Sequence, residues 1–223
     1  MIHKRHLQDR IKRILKVWVT PRLRELHFTM QGRVYIREIG RVQHLITTET
    51  DHLNTAEKYS FTLEGAVHLP GVLPVVWKRP EPAVSSVAGA LIGFAPCFLV
   101  PPHLALWWEL HAGDSPTHDD EIGAEMVSLV DRAALPFFAQ FQSERDVAEF
   151  LERPRRKDEI HIFPYCYSQC VTYAGIIWDQ LGEYEKCMEC MRRAGELAKG
   201  KRLEADIEKF ARDYVCGKLP RIA

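Results

Sequence analysis

The sequence predicts an α+β fold, on three observations taken in chain order. Apolar residues first recur at steps of three and four, as on one face of a helix. Three runs then alternate apolar and polar residues with a period of two, which is typical of strands. Helical spacing returns near residue 119 and continues toward the C-terminus. This order favours an antiparallel sheet of about five strands, packed by an N-terminal helix and by the following helices, over alternating β/α units.

An amphipathic helix is predicted over the first 27 residues. Bases such as Arg10 and Arg13 occupy the face opposite its apolar residues. Thr20 followed by Pro21 restarts the helical turn, because threonine caps helices and proline fits the first helical position. The helix is expected to end near His27. Its apolar face consists of Leu7, Ile11, Ile14, Leu15 and Trp18.

The three alternating runs predict an antiparallel meander. They begin at Val34, Val42 and Tyr59. A tight turn over 38–41 is expected to join the first two as a hairpin, because it contains glycine between two short alternating runs.

The segment 87–108 carries no formal charge, and its length would suit a membrane span. Three prolines interrupt it, at positions 96, 101 and 102. We therefore predict two buried strands, within 83–94 and 103–111, rather than a span. A proline-rich loop over 69–82 is expected to precede them.

Helical spacing over 119–138 predicts a long helix, and a shorter one over 143–151 opens with Ser143 and has Asp146 three residues later. After the charged break at 153–158 the chain again has helical spacing.

The charged break suggests two parts. We predict an α+β domain over 1–152 and an α-helical appendage over 153–223, packed on the first domain and closed by a helix over 203–215.

Composition excludes some classes of protein. Lys and Arg number 30 and Asp and Glu number 30, so the chain is neither a strongly basic nucleic-acid binder nor an acidic disordered segment. The charged start of the chain is unlike a signal peptide, and six cysteines without one favour a reducing compartment. We expect a cytoplasmic protein.

Several segments of the first domain resemble one bacterial family. They are the runs 19–35 (VTPRLRELHFTMQGRVY), 59–63 (YSFTL), 107–110 (WWEL) and 134–138 (ALPFF), with Phe141. Over about residues 5–151 the chain resembles the family of domain of unknown function 4304. It departs at His27, where the family has a glycine, and at 86–93, where the family has a polar strand with an arginine. The resemblance implies no activity, cofactor or catalytic residue. Small uncharacterised bacterial domains of this kind are associated with toxin-immunity proteins, and this association suggests an immunity-type role.

The tail resembles one helical hairpin of the tetratricopeptide type. Gly175 and Gly182 lie seven residues apart with Trp178 between them, and Cys187 takes a position where a small residue allows helices to cross closely. Because stable arrays need about three repeats, one hairpin is expected to pack on the main domain.

Charge is segregated along the chain. From Pro80 to Asp131, inclusive, there are eight acids and no Lys or Arg, whereas residues 1–24 hold eight bases and one acid. Either these parts neutralise each other across the fold, or an exposed acidic rim docks a basic protein. The rim would consist of Glu109, Asp114, Asp119, Asp120, Glu121 and Glu125. Binding of nucleic acid or anionic lipid by the basic N-terminal face is disfavoured, because no aromatic residues interleave it.

The common catalytic motifs are absent: the sequence has no nucleophile elbow, phosphate loop, dinucleotide fingerprint or His-Glu-x-x-His. We therefore expect a binding module for a basic protein, and an immunity protein would be one form of such a module. We expect it to bind no cofactor, nucleic acid or membrane.

Two alternatives use metal. A metal-assisted hydrolase would use the cluster His111, Asp114, His118 and Asp119. A structural zinc site would use Cys166, Cys170, Cys187 and Cys190. Plainer interpretations compete with both. The first cluster is typical of a helix start, with Ser115 or Thr117 as cap and Pro116 in the first turn. The cysteines have the spacing of buried helix faces.

Trp107 and Trp108 are adjacent, so in a strand one would face the core and the other the opposite side of the sheet. We expect the tail to cover the outward one, with anchoring of a ligand as the alternative.

Overall fold

A computed structural model describes residues 2–78, 80 and 87–219 and confirms the α+β class. The strands are β1 (Thr29–Gln31), β2 (Val34–Ile39), β3 (Val42–Thr50), β4 (Lys58–His68), β5 (Ile92–Phe94) and β6 (Trp108–His111). The helices are α1 (Ile2–Ile14), α2 (Thr20–Glu25), α3 (Leu73–Trp77), α4 (Pro116–Leu129), α5 (Leu135–Phe138), α6 (Glu144–Glu152), α7 (Tyr167–Gln180), α8 (Tyr184–Ala198) and α9 (Ala205–Val215).

The strands form one antiparallel sheet. Its order is β1-β2-β3-β4-β5, and β6 also pairs with β4. The predicted turn between β2 and β3 is confirmed: Ile39 pairs with Val42, and Gly40 has the positive φ of 59° that a tight hairpin requires. The short edge strand β1 was not predicted, because three residues are too few to establish an alternating pattern, and all three are exposed.

β5 and β6 are two parts of one interrupted strand. β5 pairs with residues 65–67 of β4 and β6 with residues 58–61, on the edge of β4 that faces away from β3. Residues 95–107 leave the sheet between them, opposite only residues 62–64 of β4. This excursion decides the shape of one face of the molecule.

The two strands predicted in this region are shorter than expected. Of 83–94 only Ile92–Phe94 is a strand, residues 87–89 form a 3-10 turn, and residues 83–86 lie outside the described part of the chain. Of 103–111 only Trp108–His111 is a strand. Two prolines followed by His103 with φ of 59° cannot extend a strand ladder, because proline lacks the N–H and His103 is left-handed.

The sheet has two unlike faces. Helices cover one face, where Ile46 of β3 and Phe61 and Leu63 of β4 belong to the main buried cluster. On the second face a small apolar patch lies under residues 87–90 and consists of Val34, Ile36, Leu45, Ala66, Val87 and Ala90. Farther along β3 and β4 this second face carries threonine and glutamate instead. A polar stretch of sheet is thus left without a covering helix.

Prolines shape both long helices of the first domain. A π-helical turn, Leu15–Val19, precedes Pro21 and another, Val130–Ala134, precedes Pro136. Proline removes one backbone hydrogen bond and its ring clashes with the carbonyl four residues earlier, which a wider turn accommodates. In the first turn Trp18 lies against Gly123 of α4, so that α1 and α4 pack closely.

The tail is helical as predicted. α7 and α8 form the expected hairpin, and they pack tightly at Gly175, where an added Cβ would lie 2.8 Å from the Met191 side chain. The predicted last helix is α9. The tail joins the same buried cluster as the sheet, and Trp77 of α3 donates to the Tyr173 hydroxyl at 2.9 Å.

Other predictions were partly right. The capping box at Ser143 and Asp146 is confirmed. The helix expected over 119–138 starts at Pro116 instead, after Ser115 at the N-cap, whose side chain makes no capping hydrogen bond. The loop expected over 69–82 contains α3. In the described part of the chain, no helix combines the length and apolar character that a membrane crossing requires.

Candidate functional site

The acidic rim is largely occupied by the protein's own side chains. Asp119 is 3% exposed and its carboxylate accepts hydrogen bonds from Arg10 at 2.5 Å and from Arg13 at 2.7 Å. Burial opposes ionisation, but these two arginines hold the pKa of Asp119 below its ordinary value. Asp119 is therefore not an exposed docking residue, and at this position the structure matches the other alternative, in which the basic and acidic parts neutralise each other. In this part of the fold the basic N-terminal helix neutralises the acidic segment internally.

Four other rim carboxylates also have intramolecular partners. Glu109 forms an ion pair with Lys58, and Asp114 accepts from the backbone N–H of His111 at 2.5 Å. Asp120 accepts from the Trp18 indole at 3.2 Å, and Glu125 from the Trp108 indole at 2.7 Å. Glu121 alone is both strongly exposed, at 71%, and held only by a histidine, His118, at 3.8 Å.

Replacing Asp119 by asparagine is expected to lower the free energy of unfolding by about 2 kcal/mol, because two arginines then lose a charged acceptor in a nearly dry site. Glu121→Gln, on the exposed side of the same helix, should change it by less than about 0.5 kcal/mol. Urea denaturation of both variants measures the difference. Equal stability of the two would show that the ion pair contributes nothing.

The geometry does not favour the hydrolase cluster. Asp119 is turned to the arginines, and His118 Nε2 lies 3.1 Å from the carbonyl oxygen of Glu109, where it donates. Across the described residues, no three His, Cys, Asp or Glu side chains are grouped so that they would hold a metal ion.

The cysteines proposed for the zinc site have different surroundings and different hydrogen-bond partners. Cys170, Cys187 and Cys190 are buried in the core of the tail. Cys170 accepts from Arg155 at 3.3 Å, whereas Cys190 donates to Glu152. Burial and then the charge of Glu152 raise the pKa of Cys190 to about 12, so that this side chain is a thiol in the structure.

A groove of about 740 Å³ lies on the polar stretch of the second sheet face. Its floor is formed by β3 and β4, with Thr47 opposite Glu64 and Glu49 opposite Thr62 in the strand register. Thr47 donates to the carbonyl of Arg33 and Thr62 to that of Leu106, at 3.1 and 2.7 Å. The hydroxyls of these two threonines are thereby used, and Glu49 and Glu64 supply the carboxyl groups of the floor.

Two segments wall the groove. One is the excursion 95–107, which contributes Phe98 and Trp107; the other carries Phe163 and Tyr165. Phe163 bridges to Gly93 beside β5, with backbone hydrogen bonds of 2.8 and 3.2 Å. The Phe98 ring stacks on His161 with centroids 4.1 Å apart, which ties the two walls together. The groove is thus bounded by aromatic side chains on two sides.

Glu49 and Glu64 form a carboxyl pair. They are diagonal neighbours on one face of adjacent strands, within reach of each other as long side chains. Burial, then the hydrogen bond and the negative charge of Glu49, raise the pKa of Glu64 to about 7. Near neutral pH the pair therefore shares a proton part of the time. The other ionisable side chains lining the groove are Arg33, Cys97, His161 and Tyr165.

Trp107 belongs to this groove. It precedes β6 rather than lying in it, and its side chain is 41% exposed, so the expectation that the tail covers it is wrong. Trp108 is buried in the core.

Sequence reasoning missed the pair. Glu49 and Glu64 stand 15 positions apart, and pairing them requires the register of β3 on β4. The available signal was the alternation itself, which puts Thr62 and Glu64 on the face opposite Phe61 and Leu63.

Comparison with protein-family models, with curated proteins and with solved structures returned no match to this chain. The resemblance to the family of domain of unknown function 4304, and the immunity-type role that it suggested, therefore stay predictions. The fold and the groove must be interpreted from their own chemistry.

Proposed function

We propose that this protein is a binding module for a basic protein, and that it receives a lysine or arginine side chain of its partner in the groove above Glu49 and Glu64. This keeps the partner expected from the sequence but moves the contact from the acidic rim to the neighbouring groove, with Trp107 lining both regions. The observation that carries the proposal is the carboxyl pair on the floor of an aromatic groove.

Charge and shape both support a cationic ligand. A carboxyl pair without an intramolecular basic partner attracts a cation more strongly when aromatic walls exclude water from it. Neither Glu49 nor Glu64 forms an ion pair with any described residue. Indole and phenol rings additionally attract ammonium and guanidinium groups, by about 0.5–2 kcal/mol per contact.

Besides Trp107, exposed apolar side chains lie in both segments that wall the groove, although only Tyr165 among them lines it directly. Leu104 is 66% exposed and lies in the excursion with Trp107, while Ile160 and Tyr165, at 66% and 75%, lie in the opposite segment. Apolar side chains that flank a polar centre are typical of interaction surfaces rather than of solvated faces. They favour a protein partner with apolar residues beside its basic one over a free amine.

Selection from a random heptapeptide display library tests the proposal. We expect selected peptides to contain lysine or arginine next to apolar residues, and to bind more weakly as salt is raised. A Glu49→Gln/Glu64→Gln double variant should weaken the binding of a selected peptide about tenfold or more, because it removes the charge and keeps the shape.

A matched rim variant separates the two acidic surfaces. Asp120→Asn/Glu121→Gln removes two exposed carboxylates outside the groove and should leave peptide affinity unchanged. If affinity falls in the rim variant and not in the groove variant, the contact lies at the rim after all. Selected peptides without basic residues would disprove a cationic ligand.

A further inference from the structure

A second pocket lies on the helix-covered side of the sheet, at the outer edge of β2. β1 pairs with β2 only as far as Ile36, so that among the described residues no strand pairs with this edge beyond it, at 37–39. The pocket of about 650 Å³ at this edge is walled by the end of α2 and by α5. Its apolar lining consists of Leu26, Ile39, Leu135 and Ala139.

Arg37 lines this pocket, and its guanidinium has no carboxylate partner among the described residues. No carboxylate of the described residues forms an ion pair with it; its neighbour Glu38 accepts from Gln43 instead, at 3.1 Å. The guanidinium lies over the Phe28 ring at 4.8 Å and donates one hydrogen bond, to Nδ1 of His44 at 3.1 Å. Its Nε–H is buried without an acceptor.

An uncompensated, partly buried charge is unfavourable, and here burial lowers the pKa of Arg37. His44 does not relieve this, because it uses Nε2 to donate to the Phe141 carbonyl and remains neutral. Guanidinium is the side chain best suited to bind a carboxylate, through two parallel hydrogen bonds.

We propose that this pocket binds a carboxylate with an apolar body, whose charge pairs with Arg37 while the body contacts Leu26, Leu135 and Ala139. The site is separate from the groove over Glu49 and Glu64, which lies on the other face of the sheet. Two sources share this chemistry: a free apolar acid, and the C-terminal carboxylate of a peptide whose backbone pairs with the open edge of β2.

Titration of the ¹⁵N-labelled protein with benzoate and with benzyl alcohol tests the charge requirement by NMR. We expect benzoate to give saturable shifts at Arg37 and at residues 37–39, and benzyl alcohol to bind at least tenfold more weakly. Titration with acetyl-Ala-Leu-Leu peptides ending in a free acid or an amide distinguishes the sources. Tighter binding by the free-acid peptide than by benzoate would assign the pocket to chain ends, and the reverse to small acids.

Arg37→Lys should weaken benzoate about tenfold, because it keeps the charge and loses the paired donors. Arg37→Gln should abolish binding, and Arg192→Gln, an exposed arginine of α8, should leave it unchanged. Should Arg37→Gln fail to fold, the lysine variant and the alcohol decide the question. No saturable shift with benzoate, or equal affinity for benzoate and benzyl alcohol, overturns the proposal.

Discussion

A Gly65→Ala variant is expected to lose about 3 kcal/mol of its free energy of unfolding. The added Cβ would lie 2.3 Å from Cζ of the Phe94 ring, and two further ring carbons would lie within 2.9 Å. The ring cannot move aside, because it is 4% exposed and packs on Phe137 and Phe138 with centroids 4.3 and 5.4 Å away. The strain therefore has to be relieved by shifting β5 against β4.

Gly113 supplies the matched control. An added Cβ there meets nothing within 4 Å, and its backbone is not left-handed, so Gly113→Ala should change stability by less than about 0.5 kcal/mol. Phe94→Leu in the Gly65→Ala background should recover part of the loss, because the smaller side chain leaves room for the methyl group. A urea-denaturation cycle of the four proteins measures this coupling. Additive effects of the two substitutions would contradict the steric explanation.

The same substitution should also disturb the groove. Phe94 is the last residue of β5 and lines the groove, and the excursion 95–107 begins directly after it. A shift of β5 is transmitted to the aromatic wall around Phe98. The tight contact at Gly65 thus connects the stability of the sheet edge to the shape of the proposed binding site.

The fold class could be predicted from the spacing of apolar residues along the chain alone. Helix, strand and helix regions differ in spacing, and burial of one face per element imposes that spacing on the sequence. The limits of the strands did not follow. The uncharged segment 87–108 contains buried residues both in strands and in irregular turns, and hydrophobicity does not distinguish them. The ends of the strands are set by the backbone conformation at positions such as His103, and the residue type histidine does not indicate that its φ is positive.

The candidate site was harder to predict than the fold. Charge segregation along the chain was real, but Arg10 and Asp119 are 109 positions apart and nothing local indicates that they meet. Acids clustered in sequence turned out to be mostly hydrogen-bonded within the fold, whereas Glu49 and Glu64, which form no ion pair with any described residue, lie on separate strands. A cluster of acids that are adjacent in the chain can be read from the sequence. The pair of Glu49 and Glu64 cannot, because only the register of β3 on β4 brings these residues together.

The structure shifts the pKa values of His44 and Glu64 in opposite directions, and each shift makes the stability depend on pH. Burial, partly opposed by the hydrogen bond to the Phe141 carbonyl, lowers the pKa of His44 from 6.5 to about 4. The unfolded chain takes up this proton first, so the free energy of unfolding falls by about 3 kcal/mol as pH falls from 6.5 to 4. Glu64, whose pKa is raised from 4.5 to about 7, keeps its proton in the folded state. Its contribution is present below pH 4.5 and is lost as pH rises to 7, by about 1–2 kcal/mol for a partly exposed pair.

Because the two effects have opposite signs over pH 4.5–6.5, the stability of the wild-type protein should depend on pH less steeply than His44 alone would make it. Glu64→Gln should remove one of them and leave stability rising more steeply with pH. His44→Gln should lower stability at neutral pH but reverse the slope, so that the variant is most stable near pH 4.5. Urea denaturation at half-unit steps of pH measures all three slopes. If Glu64→Gln has the wild-type slope, Glu64 titrates normally, and the carboxyl pair does not share a proton in the folded protein. The groove's affinity for a basic side chain should rise between pH 6 and 8 if Glu64 loses its proton with a pKa of about 7, and should be constant over that range if Glu64 titrates normally.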